Sequence, residues 1–237
     1  MGSDRIRKKA TVFMALFHCH LFSETLRVQT SLYVIVPQRR EGPPPGGYPV
    51  LYLLHGLSDD HTIWLRRTSV ERYVQGKNLA VVMPDAQRSF YTDMAYGPPY
   101  WTFLSEELPA LVRSFFPVSD RREDTFAAGL SMGGYGALKL ALRCPDRFAA
   151  AAGLSGALDV RTAYDRHPEG WRLIFGEAGP ADDDDLFALA EKRAGEKDRL
   201  PKLLISCGTE DFLYGDNVRF RRHLERLGIA HEYHEEP

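Results

Sequence analysis

For a serine to attack an acyl carbon, its hydroxyl must stand clear of the backbone. It also needs hydrogen-bond donors for the oxyanion and a base for its proton. The stretch Thr125-Phe-Ala-Ala-Gly129-Leu-Ser131-Met-Gly133-Gly-Tyr-Gly-Ala137 offers the first of these. Thr125–Ala128 reads as a short buried strand and Gly134–Cys144 as a helix that Pro145 ends. Between them lies a G-x-S-x-G match at a strand-to-helix turn, the setting of a nucleophile elbow. A serine there sits in a strained turn, and side chains at 129 and 133 would collide with the neighbouring strand and helix. The Met132 N–H falls near the positive end of the following helix and faces the reacting centre. The pattern alone also describes a Gly-rich turn; the flanking strand and helix favour the catalytic reading.

A second donor is expected earlier in the chain. Tyr48–Leu54 is a near-continuous apolar run leading into His55-Gly56-Leu57-Ser58-Asp59-Asp60, and Gly56 lets the Leu57 N–H turn towards the nucleophile. His55 precedes the nucleophile and reads as a loop-organising residue rather than a base. Asp59 and Asp60 read as a solvated turn and cap ahead of the segment Trp64–Gln75 more readily than as an acid pair. After the elbow, the apolar run Leu200–Cys207 opens into Gly208-Thr-Glu210-Asp211, where a carboxylate could orient an imidazole. Glu210 and Asp211 compete for that role. Asp216 is expected to cap a helix carrying Phe220, Leu224 and Leu227, which Gly228 ends. His231 and His234 fall inside the expected last strand, Ile229–Glu235, and read as sheet residues. Gly153-Leu-Ser155-Gly-Ala157 has alanine where a second glycine is needed, so Ser155 is expected to be structural.

The elements that must hold these groups alternate between strand and helix. Thr11–Phe22 and Arg27–Pro37 suggest an antiparallel pair at the sheet edge. Gln38–Gly47, rich in proline and glycine, is a surface loop. Leu79–Pro84 and Phe148–Leu154 are further buried strands, and Pro98-Pro99 precede a helix to about Phe115. Tyr91, Tyr96, Tyr100 and Trp101 either floor the core or line an acyl pocket. Residues 157–199 are expected to form a cap or pocket wall. Their acidic run Asp182–Asp185 reads as a helix cap rather than a metal site. The expected fold is α/β: a mostly parallel central sheet with helices on both faces and an antiparallel N-terminal edge, in one domain spanning 1–237.

Composition narrows the partners. The 237 residues carry 30 Lys+Arg against 32 Asp+Glu, which argues against nucleic acid or an anionic membrane surface. Cys19, Cys144 and Cys207 are too few and too scattered for a disulfide framework or a metal site. Met1–Ala10 is basic and precedes an apolar run, but that run is short and no small-residue cleavage site follows. A first strand and a cytoplasmic protein are expected. No cofactor or metal is called for, and self-association as a homo-oligomer stays open.

Several stretches together resemble the esterase D and S-formylglutathione hydrolase-like family of α/β-hydrolases. They are Leu54-His-Gly-Leu57, Ser89-Phe-Tyr91, Glu107-Leu-Pro109, Gly129–Gly136, Pro145-Asp-Arg-Phe148, Leu154-Ser-Gly156 and Gly208–Tyr214. They run through most of the chain in the family's order. The loop Gly56-Leu57-Ser58-Asp59 replaces the Gly-Leu-Thr-Cys of formylglutathione hydrolases, and His55-Gly56-Leu57 with Trp64 downstream is similar to the tributyrin-esterase-like branch. The resemblance implies a serine carboxylesterase acting on small acyl esters without a cofactor, and the aromatic region Tyr91–Trp101 suggests a confined pocket that prefers short acyl chains. Ser131 would be the nucleophile, Asp211 the acid, and the Leu57 and Met132 amides the oxyanion donors. An S-formylglutathione thioesterase and an acetyl or feruloyl esterase are alternatives within the class; a catalytically silent binding protein on the same fold is the alternative outside it. The family's histidine lies in a turn after the last strand, so it is expected beyond Pro237, with His234 the weaker in-chain alternative.

Overall fold

Val50–Leu54 (β3), Ala80–Pro84 (β4), Thr125–Leu130 (β5), Ala150–Leu154 (β6) and Lys202–Gly208 (β7) carry few polar side chains, as strands covered on both faces require. The computed structural model describes residues 13–237 and lays these five side by side in parallel. Phe13–Ser23 (β1) and Val28–Gln38 (β2) form an antiparallel hairpin, and β2 joins β4 antiparallel. Glu232–Glu236 (β8) adds parallel to β7. The eight-stranded order is β1-β2-β4-β3-β5-β6-β7-β8. The expected α/β architecture with its antiparallel edge is therefore what the chain adopts. The basic opening Met1–Ala10 lies outside the described residues.

Crossovers supply the helices in chain order. Ile63–Arg67 (α1) and Val70–Val74 (α2) lie between β3 and β4. Tyr100–Thr102 (α3), a π-helical turn at Phe103–Glu107 and Leu108–Phe115 (α4) precede β5. Pro109 cannot donate to Ser105 O, and the Arg147 guanidinium supplies that bond instead. Met132–Arg143 (α5) follows β5. Val160–Arg166 (α6), Pro168–Phe175 (α7) and Leu186–Arg193 (α8) occupy segment 157–199, and Tyr214–Leu227 (α9) precedes β8.

The helix α5 is buried from Met132 to Leu142, and its small residues let neighbours close in. A methyl on Gly136 would sit 2.5 Å from the Tyr91 ring.

Several boundaries differ from expectation. The strand β5 runs on to Leu130 and α5 starts at Met132, so a single residue makes the turn between them. Trp64–Gln75 is two helices, broken where the Thr68 hydroxyl donates to Trp64 O at 2.5 Å. The α9 N-cap is Leu213 rather than Asp216, whose carboxylate pairs with Arg219 at 2.7 Å instead. The strand β8 starts at Glu232, because the Ile229 N–H is spent on Leu224 O in closing the helix at Gly228. Asp185 does cap α8, accepting from Phe187 N at 3.0 Å.

Candidate active site

The single-residue turn between β5 and α5 leaves Ser131 at φ 58° and ψ −117°. An L-residue adopts that conformation only when its surroundings impose it, at a cost of about 1–3 kcal/mol. Here they do. The Ser131 N–H donates to Leu154 O on β6 at 2.9 Å, and its carbonyl accepts from Tyr135 and Ala157, each at 3.1 Å. The turn closes only because two neighbours lack a side chain. A methyl on Gly129 would lie 2.3 Å from the Gly133 carbonyl carbon, and one on Gly133 would lie 2.3 Å from Leu54 O. Ser155 is held at the end of β6, where its N–H donates to Ser206 O of β7.

The loop after β3 comes up against this turn. A methyl on Gly56 would sit 3.7 Å from Ser131 Cβ and 3.6 Å from Leu130 O. Trp64 Nε1 donates to Leu54 O at 3.2 Å and fixes the strand end. His55 is fully buried. Its Nε2 accepts the Ala86 N–H at 2.9 Å, so the proton resides on Nδ1, which donates to Gly56 O at 2.7 Å. With both ring nitrogens engaged, His55 is a loop-organising residue, as its position before the nucleophile suggests. Gly56 O belongs to the peptide that carries the Leu57 N–H, and the two groups point in opposite directions across a trans amide. Among the described residues neither the Leu57 nor the Met132 N–H has a protein acceptor. Two unspent donors thus flank the serine, one of them at the first position of a helix.

Above Ser131 opens a cavity of about 640 Å³. Leu57, Phe90, Val160 and Trp171 give it apolar walls, and Phe212 and Leu213 close another side. Phe90 and Trp171 meet edge-on with ring centres 4.4 Å apart. Segment 157–199 therefore contributes wall residues from α6 and α7. It is anchored by Arg219 of α9, which bonds Asp159 at 2.8 Å and Asp216 at 2.7 Å. Burial nevertheless raises the Asp216 carboxyl above its usual range. Of the aromatic cluster, Tyr91, Tyr100 and Trp101 are buried in the core and Tyr96 is exposed. The aromatic lining comes instead from Phe90, Trp171 and the exposed Phe212.

Asp211 lies just past β7, where Leu213 N donates to its Oδ1 at 2.8 Å. The end of β8 reaches the same edge, with Thr209 N donating to Glu236 O at 2.8 Å. His234 lies within β8 opposite Ser206, its side chain 61% exposed and 3.8 Å from Glu232. His231 Nδ1 bonds Ile229 O. Among the described residues no histidine hydrogen-bonds Ser131 or Asp211. Nor does any group of three or more His, Cys, Asp or Glu there have the arrangement of a metal site.

Sequence reasoning missed one charged group beneath the site. Lys139 of α5 is wholly buried and pairs with Asp184 at 2.6 Å. A lysine in the apolar run Ala137-Leu-Lys-Leu-Ala141 was the available signal.

Known proteins place the chain in a family. The family described as "Putative esterase" matches residues 23–231. An acetyl esterase of Caldicellulosiruptor saccharolyticus is 32% identical over 94% of this chain and 91% of its own length. Among solved structures, the fluorophosphonate-binding serine hydrolase F of Staphylococcus aureus superposes with a TM-score of 0.87 at 36% identity, covering 95% of this chain and 91% of that one. An S-formylglutathione hydrolase of the same organism gives 0.84 at 36% identity over 94% and 91%. The chain belongs to this esterase family, as a serine ester hydrolase on the α/β-hydrolase fold.

Proposed function

We propose that Ser131 is the nucleophile of a carboxylesterase for short-chain acyl esters, with Asp211 as the acid and the Leu57 and Met132 N–H groups as the oxyanion hole. The observation that carries the reading is a strained serine flanked by two unspent backbone donors under an apolar-walled cavity. Ser131 Oγ attacks the ester carbonyl as a histidine takes its proton, and the developing O⁻ is met by the two amides. The intermediate collapses to an acyl-enzyme and expels the alcohol, which receives the proton from the imidazolium. Water, deprotonated by the same histidine, then releases the acid. Asp211, just past β7 at the edge where Glu236 O accepts the Thr209 N–H, is the carboxylate that holds the histidine's Nδ1–H. Hydrolysis of p-nitrophenyl acetate and butyrate by the native protein and by Ser131→Ala tests the assignment.

A second reading, thioester hydrolysis on S-formylglutathione, is supported by the likeness to the staphylococcal hydrolase of that name. Higher kcat/KM for S-formylglutathione than for either ester would select it.

A further inference from the structure

The ester hydrolysis described above has no use for an ammonium deep in the core, and a buried charge is expensive unless all its protons are bonded. Lys139 meets that condition. Its Nζ donates to Tyr91 O at 3.0 Å, Thr92 Oγ1 at 2.9 Å and Asp184 Oδ1 at 2.6 Å. The rings of Trp101 and Tyr135 lie 4.9 and 5.4 Å from it. An apolar side chain would fill the same space without the desolvation cost, so the charge calls for a reason.

The reason lies in what it grips. Phe90 and Tyr91 have φ of 51° and 49°, a region bulky residues avoid, so their turn must be held from outside. Ser89 Oγ takes the Tyr91 N–H at 3.1 Å, and Lys139 takes the Tyr91 carbonyl. The Tyr91 hydroxyl then donates to His55 O at 2.9 Å, and His55 Nδ1 holds Gly56 O. Asp184 comes from the segment that walls the cavity, and its main-chain oxygen accepts the Tyr135 hydroxyl at 2.5 Å.

We infer that Lys139 is a positioning residue: charged and paired with Asp184, it locks the Phe90–Thr92 turn and, through Tyr91 and His55, holds the Gly56–Leu57 peptide where its N–H meets the oxyanion. The inference rests on the proposed role of the Leu57 amide. Because the oxyanion exists only past the ground state, the effect falls on kcat and not on KM. It also depends on the proton. Burial brings the Lys139 ammonium down to about 8, against the opposing pull of Asp184 and Asp93, with Arg143 adding to the lowering and the Tyr135 ring alongside. As Lys139 loses its charge, kcat falls.

The test is p-nitrophenyl acetate kinetics with the native protein across neutral and alkaline pH. Lys139→Met should lower kcat about ten-fold or more with KM within about three-fold, since misaiming a donor costs part of what removing it does. Lys139→Arg should restore part of kcat and lose the alkaline fall expected of the native enzyme near pH 8. Tyr91→Phe keeps the ring against Gly136 and the carbonyl on Lys139, so it tests the relay even if both lysine variants fail to fold. It should lower kcat several-fold at unchanged KM. Unchanged kcat in Tyr91→Phe, a loss confined to KM, or an alkaline fall that persists in folded Lys139→Arg would overturn the inference. None of these outcomes touches the nucleophile assignment, which Ser131→Ala decides separately.

Discussion

His55 donates its Nδ1 proton to the carbonyl of its own neighbour, Gly56, at 2.7 Å, while its Nε2 accepts from Ala86. The imidazole thereby sets the plane of the peptide whose other end is the Leu57 N–H. In an esterase, a histidine beside the active serine invites assignment as the base; the hydrogen bonds give it a different task.

His55→Phe should therefore lower kcat by about 10²-fold, as for loss of an oxyanion donor, and leave the pH of the acidic limb unmoved. A base would impose its own titration on that limb. Steady-state kinetics between pH 5 and 8 distinguish the two, and an acidic limb that disappears in His55→Phe would return His55 to the role of base.

Gly133→Ala places a methyl 2.3 Å from Leu54 O, a backbone atom that cannot swing aside. Overpacking of this kind costs about 1–3 kcal/mol and here also displaces Ser131. The expected result is a lower melting temperature together with loss of hydrolysis. Ser155→Ala should retain activity, since the bond that residue makes in the sheet comes from its backbone N–H. Thermal unfolding and an ester assay on both variants check the pair.

Lys139 offers a prediction in stability as well. In the unfolded chain a lysine titrates near 10.5, and in the folded protein burial lowers Lys139 to about 8. Between those values the unfolded state binds more protons, so this residue makes stability rise as pH increases from about 8 towards 10.5. Denaturant unfolding of the native protein and of Lys139→Met should diverge over that interval, with the native protein gaining relative to the variant. Parallel curves would contradict the shift.

The expected acyl preference is for short chains. Leu57, Phe90 and Trp171 line the same cavity as Ser131, and each methylene left unburied forfeits about 0.8 kcal/mol. A p-nitrophenyl ester series should peak at short acyl lengths and then fall. In Trp171→Ala the peak should move to longer chains; an unchanged profile would mean the acyl chain lies elsewhere.

How much of this was legible in the sequence depended on whether a local pattern was enough. The elbow was, because its residues are contiguous and Gly129 is demanded by a collision with Gly133 itself, although Gly133 answers to Leu54 O on another strand. The parallel core strands were also legible, being short apolar runs with turn residues at their ends. Helix starts were less so: Asp216 has a capping side chain, yet Arg219 claims it and α9 begins two residues earlier. The Lys139–Asp184 pair joins residues 45 apart, a contact no local pattern announces. Phe90 and Trp171 likewise became neighbours only through the fold, so the pocket wall could be expected as a segment but not as particular rings.

The central claim is that Ser131 carries the acyl group. Intact-mass and peptide mapping of the native protein after a fluorophosphonate probe, alongside p-nitrophenyl acetate kinetics of Ser131→Ala and His234→Ala, test it most directly. The account predicts one adduct, on Ser131, a loss of roughly 10⁴-fold or more in Ser131→Ala, and near-native activity in His234→Ala. An adduct on another residue, or Ser131→Ala turning over at a native rate, would contradict the nucleophile assignment; silencing by His234→Ala would make the β8 histidine the base.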